Sequence, residues 1–345
     1  MAFFGKQKYD FLGIGDITID TFIRLKEARV VRDHNEEKPK LCLDFADKIP
    51  YEEKYYIPAV GNVANAAVAA ARLGLKSALV ANIGNDREGK DCIETLKKEN
   101  VGAEFVAMNN DKKTNHHFVL WFEDDRTILV KHEKYDYSLP DFDEPKWVYL
   151  SSFGENSLAF HNKILEYLNA RPEIKLAFQP GTFQMAFGKD ALAGIYKRSD
   201  LFFCNKEEAQ RILSPFGRSP VGGETNESEI KNLLKMILAL GPKIVVITDG
   251  IKGAYSYDGK EMLFMRPYPD SKPPLERTGA GDAFSSTFTV ALALGMNIRD
   301  ALKWAPINPM SVVQQVGAQA GLLTRKELEE HLAKAPADYE PKKLE

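Results

Sequence analysis

The segment Glu276–Phe284 reads ERTGAGDAF and is the most informative stretch of the sequence. Its glycines directly precede a run with apolar residues on one helical face, and Gly295 marks the expected end of that helix. Glycines at a helix start let backbone N–H groups converge where the helix terminus adds partial positive charge, which is typical of an anion site. A carboxylate at the same spot, Asp282, makes chemical sense if it meets a hydroxyl nucleophile beside a phosphoryl group. A helix cap on a tight turn is the alternative interpretation.

Composition and charge indicate a folded protein whose net charge would not attract a polyanion. The 345 residues are 44% hydrophobic and 28% charged, as in chains that bury a substantial core. The net charge of -3 argues against nucleic acid or an anionic membrane as a partner. The three cysteines form no CxxC pair, so we expect no disulfide, no zinc site and a reducing cytoplasm. No stretch has the pattern of a signal peptide or a membrane span.

Short apolar runs alternate with segments of helical period, which predicts an α/β fold with a mostly parallel central sheet covered by helices. The predicted buried strands are Asp10–Gly15, Ser77–Ile83, Trp147–Ser151, Ile174–Phe178, Asp200–Cys204 and Lys243–Thr248.

Two stretches interrupt this rhythm. Residues 25–57 are charged and contain prolines, and residues 111–133 contain two strands that turn at Glu123–Asp125. We predict that the two stretches form a small β-sheet lid, with two unrelated surface excursions as the alternative. The predicted large catalytic domain then comprises 1–24, 58–110 and 134–335, and residues 336–345 form a polar tail that we expect to fray.

A second candidate segment begins a helix at Gly61. Asn62 and Asn65 are three residues apart and share one face of this helix start, where uncharged amides can reach a polyol. Two helix-capping amides are the alternative interpretation. The sequence thus offers an amide-lined site besides the anion site.

These segments together resemble the ribokinase-like (PfkB) family of carbohydrate and nucleoside kinases. The TGAGD run at 278–282 is similar to the family's phosphoryl-transfer signature, and residues 60–74 are similar to its amino-terminal signature. The resemblance extends from about residue 10 to residue 332. It implies a ribokinase-like three-layer α/β/α sandwich and an ATP-dependent kinase. It also implies that Asp282 is the general base and that the backbone of Gly279, Ala280 and Gly281 forms the anion hole.

The resemblance also implies where each ligand binds. The acceptor, a small sugar or sugar acid, would contact Asp16, Asp20, Gly61, Asn62 and Asn65. The nucleotide would contact Asn205, Thr248, Gly250, Gly253 and Thr278. Asn205 and Glu208 would hold Mg²⁺, partly through water. Without the family context, these positions read as turns, caps and an ordinary solvated helix start.

Some positions depart from the family pattern. Val60 replaces the first glycine of the amino-terminal signature, and Glu276-Arg277 replaces the usual Asp-Thr, which argues against a monovalent-cation site. Pro306, Asn308 and Pro309 replace an alanine-rich stretch near adenine. The resemblance leaves a nucleoside kinase and a catalytically silent sugar-binding regulator as alternatives, and pairing of exposed lid sheets would give a homodimer.

Two further patterns resemble functional motifs that we reject. The run GNDREGKD at 84–91 nearly spells a Walker A loop but lacks its Ser or Thr, so we interpret Asp86 as a helix N-cap. His116 and His117 are adjacent in a predicted strand and therefore point to opposite faces, which makes them poor ligands of one metal.

Overall fold

The computed structural model describes residues 9–32, 39–123, 125–214, 227–270 and 272–344. The strands are β1 (Phe11–Ile14), β2 (Thr18–Leu25), β3 (Arg29–Val31), β4 (Lys40–Cys42), β5 (Tyr51–Val60), β6 (Ser77–Gly84), β7 (Val101–Gly102), β8 (Val106–Asn109), β9 (His116–Phe122), β10 (Asp125–Leu129), β11 (Trp147–Leu150), β12 (Lys175–Phe178), β13 (Leu201–Asn205), β14 (Ile244–Thr248), β15 (Ala254–Tyr257), β16 (Met262–Met265) and β17 (Lys342–Lys343).

The helices are α1 (Asn62–Arg72), α2 (Arg87–Lys98), α3 (Leu158–Asn169), α4 (Thr182–Phe187), α5 (Ala193–Arg198), α6 (Lys206–Leu213), α7 (Glu227–Leu238), α8 (Ala280–Ala293), α9 (Ile298–Trp304), α10 (Ile307–Val312) and α11 (Arg325–Ala333). A 3-10 turn spans Gly250–Lys252. Within the described ranges, no helix is long and apolar enough to cross a membrane.

The central sheet has the strand order β17-β16-β15-β14-β13-β12-β11-β1-β6-β7, and β8 also pairs with β6. The strands from β14 through β1 to β7 are parallel, and β15, β16 and β17 are antiparallel at one edge. Each of the six predicted strands is confirmed to within one residue. The carboxyl ends of parallel strands meet at one edge of a sheet, so the polar residues that follow these strands converge there.

Helices cover both faces of this sheet, as β1 illustrates. Phe11 packs into a core with Val63 of α1 and Phe288 of α8, whereas Leu12 and Ile14 pack into a second core with residues of α3 and α7. The alternation follows from the pleat of a strand, and each large side chain so buried contributes roughly 1.5–3 kcal/mol. The predicted three-layer α/β/α arrangement is confirmed.

A separate small sheet has the order β10-β9-β2-β5. β9 and β10 pair antiparallel, as predicted for the two strands that turn at residues 123–125, although Asp124 lies outside the described residues. β2 lies between β5 and β9 and joins the two predicted stretches into one sheet. This corrects the predicted boundary, which left residues 18–24 in the large domain, because β2 follows β1 so closely that the sequence shows no break between them.

The chain ends against the central sheet. Tyr339 is 2% exposed, its hydroxyl donates to Lys303 O at 3.0 Å, and its ring packs edge-on against Tyr268. Three residues further on, β17 begins and pairs with β16. The expected fraying of residues 336–345 is therefore wrong, because one aromatic anchor and one strand pair hold an otherwise polar segment.

Candidate active site

A cavity of about 270 Å³ lies between the end of β14 and the start of α8. One side is lined by Thr248, Gly250 and Gly253, and the other by Ala280 and Gly281. Apolar residues, among them Ile251, Met265, Phe284, Met310 and Val313, form much of the remaining wall. Residues predicted to bind a nucleotide and residues of the predicted anion hole thus line one cavity, which suits a planar apolar group with an anionic end.

The two glycines at the start of α8 differ in why the fold accepts them. Gly279 is the N-cap in a left-handed conformation with φ of 80°, and a Cβ there would lie 2.3 Å from Ala318 Cβ, so the fold itself requires glycine. A Cβ on Gly281 would meet no atom within 4 Å. Gly281 therefore keeps space open beside the first turn of α8, where the bond from Ala280 N to Arg277 O is long, at 3.5 Å, and the bond from Ala283 N to Gly279 O is 2.8 Å.

Asp282 follows in the same first turn, and both of its carboxylate oxygens accept a hydrogen bond. Asn65 Nδ2 donates to Oδ2 at 2.8 Å, and Gln179 Nε2 donates to Oδ1 at 3.0 Å. Burial raises the pKa of Asp282 above its usual range, while these two bonds lower it and the Asp20 carboxylate raises it. The geometry and the raised pKa suit a carboxylate that accepts a proton.

Gln179 was not predicted as a site residue, although it directly follows the buried strand β12. Its side-chain oxygen accepts hydrogen bonds from Tyr149 Oη and Ser285 Oγ. Its position in the sequence could have indicated a site residue, because Gln179 stands at the end of a parallel strand, as Asn205 does. No sequence pattern connects it with Asp282, which lies 103 residues away.

Asp16, the first predicted acceptor ligand, is 3% exposed and largely committed to the fold. Its Oδ2 accepts from Tyr137 Oη at 2.8 Å, from Gly154 N at 2.9 Å and from His132 Nδ1 at 3.2 Å. Its Oδ1 is buried without a hydrogen-bond partner among the described residues. Burial and the Asp16 carboxylate raise the pKa of Tyr137, which therefore stays a hydroxyl donor.

Asp20 connects to Asp16 through two histidines. Asp20 Oδ1 lies 3.4 Å from His117 Nδ1, and His117 Nε2 lies 3.3 Å from His132 Nε2. His116 points to the other face of β9 and contacts Glu88 and Thr21, which confirms that the adjacent histidines do not share a site. Among the described residues, no group of three or more His, Cys, Asp and Glu side chains is arranged to hold a metal ion.

The predicted amide segment lies beside these carboxylates. Gly61 is the N-cap of α1, and a Cβ there would lie 3.3 Å from Asp16 O. Asn62 is half-buried, whereas Asn65 is 4% exposed and its Oδ1 accepts from Gln319 Nε2 at 3.0 Å. The structure thus gives Asn65 a contact that was not predicted, because its amide reaches Asp282.

Asn205 and Glu208 form a reciprocal capping box at the start of α6. Asn205 N donates to Glu208 Oε2, and Glu208 N donates to Asn205 Oδ1, both at 2.8 Å. Burial raises the pKa of Glu208, and the Asp282 carboxylate raises it further. Because the cap uses Asn205 Oδ1, the remaining side-chain group of Asn205 is a donor, so Glu208 Oε1 is the better candidate to face a hydrated Mg²⁺.

Thr278 and Glu276 lie just before α8. Glu276 is 2% exposed, and its two oxygens accept from Thr278 N at 2.7 Å and Gly317 N at 2.9 Å. Thr278 Oγ1 is buried and has no hydrogen-bond partner within the described residues. Glu276 thus ties the glycine loop to a second loop.

Elsewhere, Asp86 accepts from Gly89 N at 2.8 Å, which confirms it as the N-cap of α2.

The chain is similar to known carbohydrate and nucleoside kinases. The model of the pfkB family of carbohydrate kinases matches residues 29–325. The chain is 29% identical to ribokinase of Bacillus subtilis, over 79% of this chain and 87% of the relative. It is 24% identical to a nucleoside kinase of Methanothermobacter thermautotrophicus, over 76% of this chain and 80% of the relative. The structure of Arabidopsis thaliana ribokinase with ribose and ATP aligns with a TM-score of 0.75 at 20% identity, over 94% of this chain and 99% of that chain. This last likeness confirms the predicted ribokinase-like fold.

Proposed function

This chain belongs to the pfkB family of carbohydrate kinases, and from that premise we propose that it transfers the γ-phosphoryl group of ATP to a hydroxyl of a small sugar or sugar acid. Family membership makes the chain a phosphotransferase. The observation that carries the finer proposal is Asp282, which stands in the first turn of α8 beside Gly281 and is hydrogen-bonded to Asn65 of the predicted acceptor segment. The base thereby adjoins both predicted ligand sites.

Asp282 accepts the proton of the acceptor hydroxyl as that oxygen attacks phosphorus. The hydrogen bonds from Asn65 and Gln179 favour the ionised form that this role needs, against the effect of burial. The first-turn amides at Gly281 stabilise the negative charge that spreads over the transferring phosphoryl oxygens. The open space beside Gly281 supports this placement, since nothing in the described fold fills it.

The nucleotide occupies the cavity between β14 and α8. Its base lies against the apolar wall, and its phosphates extend from Gly250 and Gly253 toward Ala280 and Gly281. We assign Thr278 to the same end because its buried hydroxyl lacks a partner among the described residues. Pro306 and Pro309 border this cavity, so the departure from the family pattern there falls on the base-binding wall.

Glu208, with Asn205 acting through water, holds Mg²⁺ in this proposal. When bound, the ion supplies charge neutralisation for the nucleotide phosphates. The acceptor lies near Asp20, Gly61 and Asn62, and Asp16 supports this region from behind. The small sheet carries Asp20 and acts as a lid that excludes water from the phosphoryl group.

One measurement tests the reaction and chooses the acceptor. ADP release from Mg²⁺-ATP is followed across sugars, sugar acids and nucleosides, with Asp282→Asn as the matched variant. We expect turnover on sugars or sugar acids that is lost in the variant. Turnover confined to nucleosides would favour the second candidate, a nucleoside kinase, to which the relative at 24% identity points. Sugar binding without turnover would favour a regulator.

We also propose that two copies pair through the outer face of the small sheet in the cytoplasm. Tyr56, Phe118 and Leu129 share this face and are 41%, 42% and 52% exposed. Light scattering of the wild type and Phe118→Glu checks the pairing, since a dimer in both would place the interface elsewhere.

A further inference from the structure

Each oxygen of Asp282 accepts one side-chain amide hydrogen, and the two amides come from segments that lie far apart in the sequence. Asn65 lies on α1, and Gln179 follows β12. Two donors on the two oxygens fix the rotation of the carboxylate about its Cβ–Cγ bond, which a single donor would leave free. The orientation of Asp282 therefore depends on how firmly each amide is itself held.

Gln179 is held at four points. Its side-chain oxygen accepts from Tyr149 Oη and from Ser285 Oγ, the latter at 2.9 Å. Its backbone N donates to Leu150 O at 3.0 Å, and its backbone O accepts from Ser151 Oγ at 2.8 Å. With hydroxyl donors on its oxygen, the Gln179 amide must present its NH₂ group to Asp282, because the flipped amide would place oxygen against oxygen.

The Tyr149 hydroxyl behind Gln179 stays protonated and therefore remains a donor. Tyr149 is fully buried, and burial followed by the Asp282 carboxylate raises its pKa well above its usual value. Tyr149 Oη also lies 2.7 Å from Ser285 Oγ. Tyr149 and Ser285 thus both lie behind the Gln179 amide, whose NH₂ group donates to Asp282.

We propose that Gln179 is a positioning residue for the reaction: backed by Tyr149 and Ser285, it aims the Asp282 carboxylate at the acceptor hydroxyl and stabilises its ionised form. This rests on the proposed function, since it takes Asp282 as the base. Gln179 acts through Asp282, so its loss affects the proton transfer more than the binding of either substrate.

The charges around Asp282 set the direction of the pH effect. Asp20 on β2 and Glu208 on α6 are the carboxylates that interact with it, and burial is the largest influence on its pKa. The Gln179 hydrogen bond lowers that pKa. Burial and the neighbouring carboxylates raise the pKa of Asp282, so the pKa rises further when the Gln179 bond is removed. The acidic limb of the rate profile then moves to higher pH.

The test compares Gln179→Met with Gln184→Met, a matched control five residues away. Gln184 is a buried glutamine, whereas Gln179 is half-buried, and Gln184 bonds to Ser151 O, His161 and Gly181 N rather than to Asp282. In Gln179→Met we expect kcat to fall roughly 10- to 100-fold, as for one lost hydrogen bond to a charged group, with acceptor KM within about threefold. The acidic limb moves to higher pH. Gln184→Met keeps the acidic limb of the wild type.

A second variant and a second readout guard against a folding defect or an inactive preparation. Tyr149→Phe removes only the hydroxyl behind Gln179 and is expected to shift the acidic limb in the same direction by less. Carbon-13 NMR titration of the carboxyl groups, with the Asp282 signal assigned through Asp282→Asn, should show a higher pKa for Asp282 in Gln179→Met. This holds even if no acceptor is turned over, an outcome that would contradict the proposed function alone. An Asp282 signal with the wild-type pKa, or a change in acceptor KM alone, would overturn the positioning role.

Discussion

Replacing Gly281 with alanine separates the needs of the fold from the needs of the chemistry. Gly281 is the second residue of α8, its φ lies outside the left-handed region, and a Cβ there would meet no protein atom within 4 Å. The fold should therefore accept alanine without rearrangement. The new methyl group instead enters the space in which we place the transferring phosphoryl group.

The two effects have opposite signs and can be estimated. Alanine is favoured over glycine in a helix by up to about 1 kcal/mol, so the free energy of unfolding should stay the same or rise by that amount. Alanine keeps its backbone N–H, but its methyl group would hold the phosphoryl oxygens away from that donor, and loss of one such interaction with developing charge lowers turnover by about 10²- to 10³-fold. We therefore expect Gly281→Ala to be at least as stable as the wild type and to have kcat at least about 10²-fold lower.

Urea unfolding and ADP release measure the two quantities on the same preparation. Gly279→Ala is the contrasting variant, because its positive φ and the 2.3 Å approach to Ala318 Cβ should make it less stable as well as less active. Turnover of Gly281→Ala within about twofold of the wild type would refute the placement of the phosphoryl group at this helix start. A large loss of stability in Gly281→Ala would refute the packing argument.

Three further variants test other parts of the molecule. Asp282→Asn should lower kcat by roughly 10²–10⁴, with substrate binding largely retained in calorimetry; unchanged turnover would remove it from the base role. Asn65→Ala should raise the acceptor KM more than the nucleotide KM and, through its bond to Asp282, also lower kcat in steady-state assays; an effect confined to ATP would contradict its place on the acceptor side. Tyr339→Ala should lower the free energy of unfolding by roughly 3–5 kcal/mol in urea titrations, the range for a buried aromatic, whereas a frayed tail would give no change.

Predictions that depend on local patterns agreed with the structure. The apolar runs gave the six buried strands, and the TGAGD segment begins α8 as expected. Asp86 caps α2 three residues before Gly89, a contact that spacing alone specifies. The cap joins atoms within a few residues of one another, and each strand shows in the periodicity of its own side chains, although its pairing partners lie far away in the sequence.

Assignments that required distant partners came out differently. β2 belongs to the small sheet because β5 and β9 flank it. The short segment between β1 and β2 contains no sequence pattern that indicates that the two strands lie in different sheets. Asp16 stays a predicted acceptor ligand, but the sequence does not show that the fold surrounds one of its oxygens with Tyr137, Gly154 and His132, all more than 100 residues away. Burial of a polar group obliges it to find partners, and the sequence does not say which ones.

The sequence by itself determined the alternation of strands and helices, the glycine-rich helix start and the carboxylate within it, because these follow from periodicity and from the backbone freedom of glycine. The tertiary structure alone decided that Asp282 accepts hydrogen bonds from amides 217 and 103 residues away in the chain. It likewise decided that a polar tail is anchored by Tyr339. The physical reason is that hydrogen bonds and packing act over a few ångströms in space, and only the folded topology brings such distant residues within that range.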